Sequence, residues 1–234
     1  MKTRTLYIAF FLALSLSLLS CAHTPPAHLT QNQDTSLPIL QGLTTDRSTQ
    51  IAVMAPQKSN ISVKLFTGAN PVKAARFEQE SIPGSDQIMT KVWFEGLQSG
   101  TTYRLEVKNS KNELLDEREL STLDLTKKSA RFAVVSCMDD TYKQESITQW
   151  QDLLSHQPEM IFMIGDNVYA DKDINFYSGP APATLLWKRN VETRQTLSIF
   201  KAKKLVPILA TWDDHDYGFN NGNRDYIEKK SSLK

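Results

Sequence analysis

The chain has 234 residues, of which 40% are hydrophobic and 23% charged, enough apolar matter to bury a core and too much for a disordered protein. Its 27 Lys and Arg residues balance 26 Asp and Glu residues, for a formal net charge of +1, which leaves no basic field for nucleic acid and no acidic tail. Any charged substrate must therefore be handled by a local constellation of residues.

The opening residues read as a leader. A positive stretch, MKTR, precedes the apolar run TLYIAFFLALSLSLL, and LLSC closes it with a small residue before Cys21. Residues 1–21 resemble a bacterial lipoprotein signal with a lipobox, which implies cleavage before Cys21, acylation of its thiol and amino end, and a membrane hold through several acyl chains. The plainer readings are an ordinary cleaved signal or a single membrane span, for which the run is short. With the anchor, the protein is expected to be an exported membrane lipoprotein on the periplasmic side or cell surface. Ala22 would suit the outer membrane of a host that has one. Residues 22–36, AHTPPAHLTQNQDTS, are polar and Pro-containing without periodicity, and read as a tether.

Over 37–123 the pattern predicts a small β-sandwich. STQIAVMAP, NISVKLFTG, IMTKVWFEGL and TTYRLEVKNS are β-branched or aromatic runs separated by turn residues, several alternating in polarity. The stretch GLQSGTTYRLEV resembles the Gly-Leu-x-x-Gly-Thr-x-Tyr turn of fibronectin type III-like domains. That resemblance implies that Tyr103 is a corner tyrosine bonded back to the backbone, a core feature without a site.

From 131 to 234 the period changes. RFAVVSC, EMIFMIGDN and LVPILATWDDHD read as buried strands, with QESITQWQDLLSHQ and TLLWKRNVETRQTLSIFKAKK as helices between them. Ile147, Trp150, Leu153 and Leu154 fall on one side of the first helix. Apolar strands alternating with helices predict parallel pairing. The expected fold class is thus α+β with two domains, a fibronectin type III-like sandwich followed by an α/β portion. The clusters SCMDD, GDNVYAD and WDDHD then lie at the carboxyl ends of strands, the edge where open α/β sheets build sites.

Those clusters supply a thiolate at Cys137, carboxylates at Asp139, Asp166, Asp171, Asp213 and Asp214, a phenol at Tyr169 and an imidazole at His215. Carboxylates gathered at one edge raise each other's pKa unless cations offset them, so metal is the simplest compensation. A thiolate, phenolate and carboxylate set suits a ferric ion, and an all-oxygen neighbour suits calcium or another divalent ion. Any single one of these aspartates would more often cap a helix or decorate a loop. Cys137, without a disulfide partner once Cys21 is lipidated, reads either as a metal ligand or as a small buried hydrophobe.

GDNVYAD matches the Gly-Asp-x-x-Tyr block of calcineurin-like metallophosphoesterases. SCMDD and WDDHD followed by NN carry the substitutions of alkaline phosphatase D (PhoD-like) enzymes, which also bear an amino-terminal sandwich. The resemblance covers about residue 37 to the end. It implies the first part of an α/β metallophosphoesterase fold and hydrolysis of a phosphate ester substrate with Fe3+ and Ca2+, or another divalent metal, as cofactors. In it Cys137, Asp166 and Tyr169 hold the ferric ion, Asp166 bridges, Asp214 serves the second metal, and His215 faces the phosphate. Asp139, Asp213 and Asp216 are ligands or orienting groups.

Family members continue past this block with further histidine ligands, whereas the remaining histidines here, His23, His28 and His156, lie in the tether and at a helix end. The chain is therefore expected to resemble the front part of such an enzyme and to be at most a feeble phosphatase. The alternative is a non-catalytic surface lipoprotein with a binding sandwich and an inert phosphatase remnant. Replacing Cys21 with Ala is expected to release the protein from the membrane fraction. A mature amino terminus found unmodified at another residue would overturn the anchor.

Overall fold

The computed structural model describes residues 36–172 and 179–232. The leader, Cys21 and the tether up to residue 35 lie outside the described residues, as does the core of the irregular loop after Lys172. Eight strands come first: β1 (Ile39–Thr44), β2 (Ser48–Pro56), β3 (Ser62–Thr67), β4 (Asn70–Val72), β5 (Ala74–Ser81), β6 (Gln87–Glu95), β7 (Thr102–Lys108) and β8 (Leu114–Ser121). They form two antiparallel four-stranded sheets, in the orders β1-β2-β6-β5 and β4-β3-β7-β8. Both sheets turn alternate residues into one core. Ile51, Val53, Val92 and Phe94 from the first sheet meet Val63, Leu65, Leu105 and Val107 from the second, as period-two alternation requires. At the turn before β7 the buried Tyr103 hydroxyl accepts the Gln98 backbone N–H at 2.8 Å.

A charged pair lies inside this sandwich. Arg118 on β8 and Asp116 are both shut off from solvent. The guanidinium donates two bonds to the carboxylate, at 2.7 and 2.9 Å. Its remaining N–H groups bond the Leu37 carbonyl at 3.0 Å and the Ala202 carbonyl at 2.7 Å. Residues 203–205 then run beside β8: Glu119 N–H donates to Lys203 O at 2.9 Å, and Leu205 N–H to Glu119 O at 2.7 Å. Leu205 enters the sandwich core.

A third sheet holds β9 (Phe132–Val135), β10 (Met160–Ile164) and β11 (Ile208–Thr211), paired in parallel in the order β11-β10-β9. The first helix, α1 (Lys143–Ser155), buries Trp150 and Leu154 against Ile161, Met163 and Ile208. The second, α2 (Ala183–Thr196), packs Val191 and Trp187 on Met54 and Ile82 of the sandwich. It stops well short of the helix expected from its sequence. Leu197 is extended, and Leu197, Ile199 and Phe200 are all buried in a short 3-10 turn, because three apolar residues so closely spaced do not fit one stripe of a continuing helix. Two single-turn helices follow, α3 (Asp214–Tyr217) and α4 (Lys229–Ser232). No described helix is long and apolar enough to cross a membrane.

The expected α+β class, with the first part of an α/β metallophosphoesterase fold, is corrected by this architecture. Of the described residues 39% are in strands and 19% in helices, and eight of the eleven strands belong to antiparallel sheets. The parallel part is three strands of four or five residues. One face of it is largely bare, with Phe132, Val134 and Ile164 more than half exposed, so it is not the two-sided layer of an α/β fold. The sequence reading undercounted β structure because β1, β4, β5 and β8 show little apolar alternation. In β5 every residue after Ala74 is exposed, and β8 turns Asp116 and Arg118 inward.

Replacing Arg118 with Met leaves a buried carboxylate unpaired and is expected to cost about 3–5 kcal/mol, measured by urea unfolding. The double substitution Asp116→Leu/Arg118→Met is expected to recover most of that loss. A single variant as stable as the parent would show that the pair does not hold the junction.

Candidate metal-binding site

Two neighbouring strands end in left-handed turns. After β9, Cys137 has φ +57°, and after β10, Gly165 has φ +121° and Asp166 φ +51°. The turns are stitched together: Cys137 N–H donates to Gly165 O at 3.3 Å and Met138 N–H to Asp166 O at 2.9 Å. Left-handed backbone at residues with a side chain is costly and persists where the surroundings impose it. Here it brings the Cys137 thiol to 3.5 Å from Asp166 Oδ2, and the Tyr169 hydroxyl reaches the same oxygen at 3.4 Å. Asp166 Oδ1 is buried and has no hydrogen-bond partner among the described residues.

The third strand contributes through α3. Asp213 caps it, accepting from Asp214 N–H at 2.9 Å, while Asp216 accepts from Asp213 N–H at 3.0 Å and completes a capping box. This cap turns Asp214 and His215 toward Asp166. One ligand atom from each of the three lies within 4.8 Å of the others. The His215 Nδ1 sits 2.6 Å from Asp171 Oδ1, the buried Asp171 also accepts Asn220 N–H at 2.9 Å, and the imidazole lies 4.3 Å from the Tyr169 ring, centroid to centroid.

Electrostatically the cluster is one-sided. Burial pushes the Tyr169 phenol well above its usual range, and its contact with Cys137 and the charge of Asp166 push the same way. Asp216 is also raised, chiefly by burial and further by Asp166, against the Asp213, Asn167 and Val168 donors. Asp214 goes the other way. Burial opposes its charge, but backbone donation from Asn221 and the nearby His215 hold it below the normal carboxylate range. Lys172 is spent elsewhere, 3.3 Å from Asp139 and 4.3 Å above the Tyr169 ring.

The structure thus brings Cys137, Asp166, Tyr169, Asp214 and His215 together. Cys137 is exposed, which removes the reading of a small buried hydrophobe. Asp139 is not in this cluster and is satisfied locally, accepting from the Thr141 N–H and hydroxyl and from Lys172. Asp213 is committed to the α3 cap, and Asp216 braces the adjoining loop by accepting Val168 N–H at 2.7 Å. Sequence reasoning counted Asp171 among the carboxylates but gave it no role, although a site imidazole needs a partner to set its tautomer and GDNVYAD supplies one. It also passed over Arg189. That buried guanidinium pairs with Asp140 and Glu192 and donates to the Tyr169 carbonyl at 3.3 Å, tying two site loops to α2. Nothing in the sequence distinguishes it from a solvated helix arginine.

These donors fit a metal ion. Asp166 Oδ1 is buried without a proton donor among the described residues, and a thiol, a phenol, a second carboxylate and an imidazole converge around it, with no described lysine or arginine paired to Asp166. The mixed sulfur, nitrogen and oxygen set suits a transition ion.

No protein-family profile matches the chain, and no curated protein matches it in sequence. Among solved structures it is similar to the M1 domain from titin, at 11% identity over 39% of this chain and 98% of that one, with a TM-score of 0.25. It is also similar to the tandem Ig repeats of Dlar, at 14% identity over 44% of this chain and 59% of that one, with a TM-score of 0.24. At such scores no property of either is carried over.

A Cβ at Gly165 would stand 2.7 Å from the Asp213 Cβ, whereas one at Gly84, also at positive φ, meets nothing within 4 Å. Both Ala variants carry the backbone cost of about 1 kcal/mol or more. Gly165→Ala is expected to melt clearly lower than Gly84→Ala in thermal unfolding. Equal melting would show that the Asp213 cap yields without loss.

Proposed function

We propose that this chain is a metal-dependent phosphoric ester hydrolase, its site built from Cys137, Asp166, Tyr169, Asp214 and His215. The observation that carries the reading is Asp166, whose buried Oδ1 has no partner among the described residues while a thiol and a phenol meet its other oxygen and Asp214 and His215 stand beside it. Two carboxylates brought this close, one with a buried oxygen that receives no proton among the described residues, are unfavourable until a cation offsets their charge. The reading rests on these side chains and on the resemblance of their three blocks to alkaline phosphatase D, and takes nothing from the fold, since sites of one chemistry occur on unrelated architectures.

Cys137, Asp166 and Tyr169 would hold a ferric ion, and Asp166 and Asp214 calcium or another divalent ion. When bound, such ions neutralise phosphoryl charge and lower the pKa of water. Asp166 and Asp214 keep their oxygens fixed for this, Asp214 through the N–H groups of His215 and Asn221. His215, engaged at Nδ1 by Asp171, has Nε2 left to give a proton. As water oxygen bonds to phosphorus, the ester P–O bond breaks and its electron pair leaves with the ester oxygen. That oxygen takes the Nε2 proton of the His215 imidazolium, the attacking water gives up a proton to solvent, and solvent returns one to Nε2 for the next turnover, Asp171 stabilising the imidazole through both charge states. The same reading places the enzyme outside the cytoplasm on a lipid anchor at Cys21.

The test uses protein from residue 22, supplied with iron and calcium and assayed on an aryl phosphate. Metal-dependent release of phosphate is expected, lost in Asp166→Asn and reduced about 10²–10⁴-fold in His215→Ala. A visible charge-transfer band, weakened by Tyr169→Phe, is expected from the iron-loaded protein. Retention of no metal, or hydrolysis unchanged in Asp166→Asn, would overturn the proposal.

A further inference from the structure

Beside the carboxylate cluster lies a cavity of about 400 Å³ whose lining includes Cys137 and Tyr169, two residues that meet Asp166. Its far wall is apolar. Trp150 and Leu153, three residues apart on α1, present one face of that helix, and Val135 closes the side at the end of β9. Tyr142, 63% exposed, and the exposed Gln149 belong to the same lining.

The lining carries one charged side chain, Asp139, and no lysine or arginine among the described residues. That carboxylate is already satisfied by the Thr141 N–H at 3.0 Å, the Thr141 hydroxyl at 2.7 Å and Lys172 at 3.3 Å. A polyanionic group, as in a nucleoside diphosphate or a nucleic acid, would meet the Asp139 carboxylate, and the neighbouring Lys172 ammonium is already engaged by that carboxylate and by the Tyr169 ring. A cationic group would find Asp139 neutralised and the Tyr169 ring already under Lys172. What suits these walls is a neutral apolar or aromatic body, in a volume typical of small-molecule pockets.

We infer that this cavity receives the organic group of the substrate, which is therefore a phosphoester of a neutral aryl or apolar alkyl alcohol. The inference rests on the hydrolase reading for the phosphate end, since an ester with its phosphorus beside Asp166 reaches the cavity past Cys137 and Tyr169. The aromatic edges of Trp150 and Tyr142 then select a flat ring over a short polar chain.

Two measurements test it. In the first, metal-free protein is titrated calorimetrically with 4-nitrophenol, glycerol and choline. Only 4-nitrophenol is expected to bind, and Leu153→Trp and Gln149→Trp, which fill the cavity from its wall and from its rim, are expected to abolish that binding. The rim variant keeps the test open if the wall variant does not fold. In the second, phenylphosphonate is expected to inhibit the metal-loaded protein about tenfold more tightly than methylphosphonate, and Gln149→Trp is expected to erase the difference. Absence of 4-nitrophenol binding, binding that survives both substitutions, or preference for choline or glycerol overturns the inference whatever the metal does. Binding of 4-nitrophenol by a protein that hydrolyses no ester removes the hydrolase reading and overturns the substrate assignment with it.

Discussion

The arrangement of the whole molecule turns on a guanidinium that never meets water. Arg118 satisfies Asp116 within its own strand and uses its remaining donors on two distant carbonyls, Leu37 where the described chain begins and Ala202 just before the segment leading to β11. A buried charge tolerates no loose end, so these partners are fixed by the cost of leaving any N–H unmade. Residues 203–205 are thereby laid against β8, Leu205 is drawn into the sandwich core, and the path into β11 is set. Since β11 leads into the cap of α3, the position of Asp214 and His215 is referred back to a salt bridge in another sheet.

Within the site the energetic burden is carried by backbone. Cys137 and Asp166 occupy left-handed conformations, and Gly165 lets the Asp213 side chain approach more closely than a Cβ would permit. Most of the carboxylates around them are supported by main-chain donors: Asp213 by Asp214, Asp214 by His215 and Asn221, Asp216 by Asp213 and Val168, Asp171 by Asn220. Asp166 is the exception, its neighbours being a thiol and a phenol on one oxygen and nothing on the other. A group so differently treated from the carboxylates around it is where a cation would do the most to relieve the structure.

The sequence was informative where side chains alternate and silent where backbone decides. β2 and β7 were legible because Ile51 and Val53, or Tyr103, Leu105 and Val107, recur at every second position. β5 was not, because it pairs with β6 through its backbone while its side chains face solvent. The clusters after β9, β10 and β11 were legible as chemistry, and five of their residues converge. Their surroundings were misread as part of an α/β layer, since an apolar run such as MIFMI looks the same in a small half-bare sheet as in a covered one. For Asp139 and Asp213 the sequence left ligand and orienting roles open, and a Thr two residues on and a helix start beside it decide what each accepts. Arg189 and Asp140, buried and 49 positions apart, meet only in three dimensions.

The docking of 203–205 on β8 also imposes an order of assembly. That segment has nothing to pair with until β8 has an edge, and β8 in turn needs β7 and the shared core of the two sheets. During synthesis the sandwich strands emerge first, and their antiparallel partners are close in sequence except for β2 with β6 and β3 with β7, so they can close while the later strands are still being made. The parallel sheet then forms around a stretch already held in place. The carboxylate cluster, drawn from the ends of all three of its strands, is the last feature to exist and the first to be lost when any earlier step is weakened.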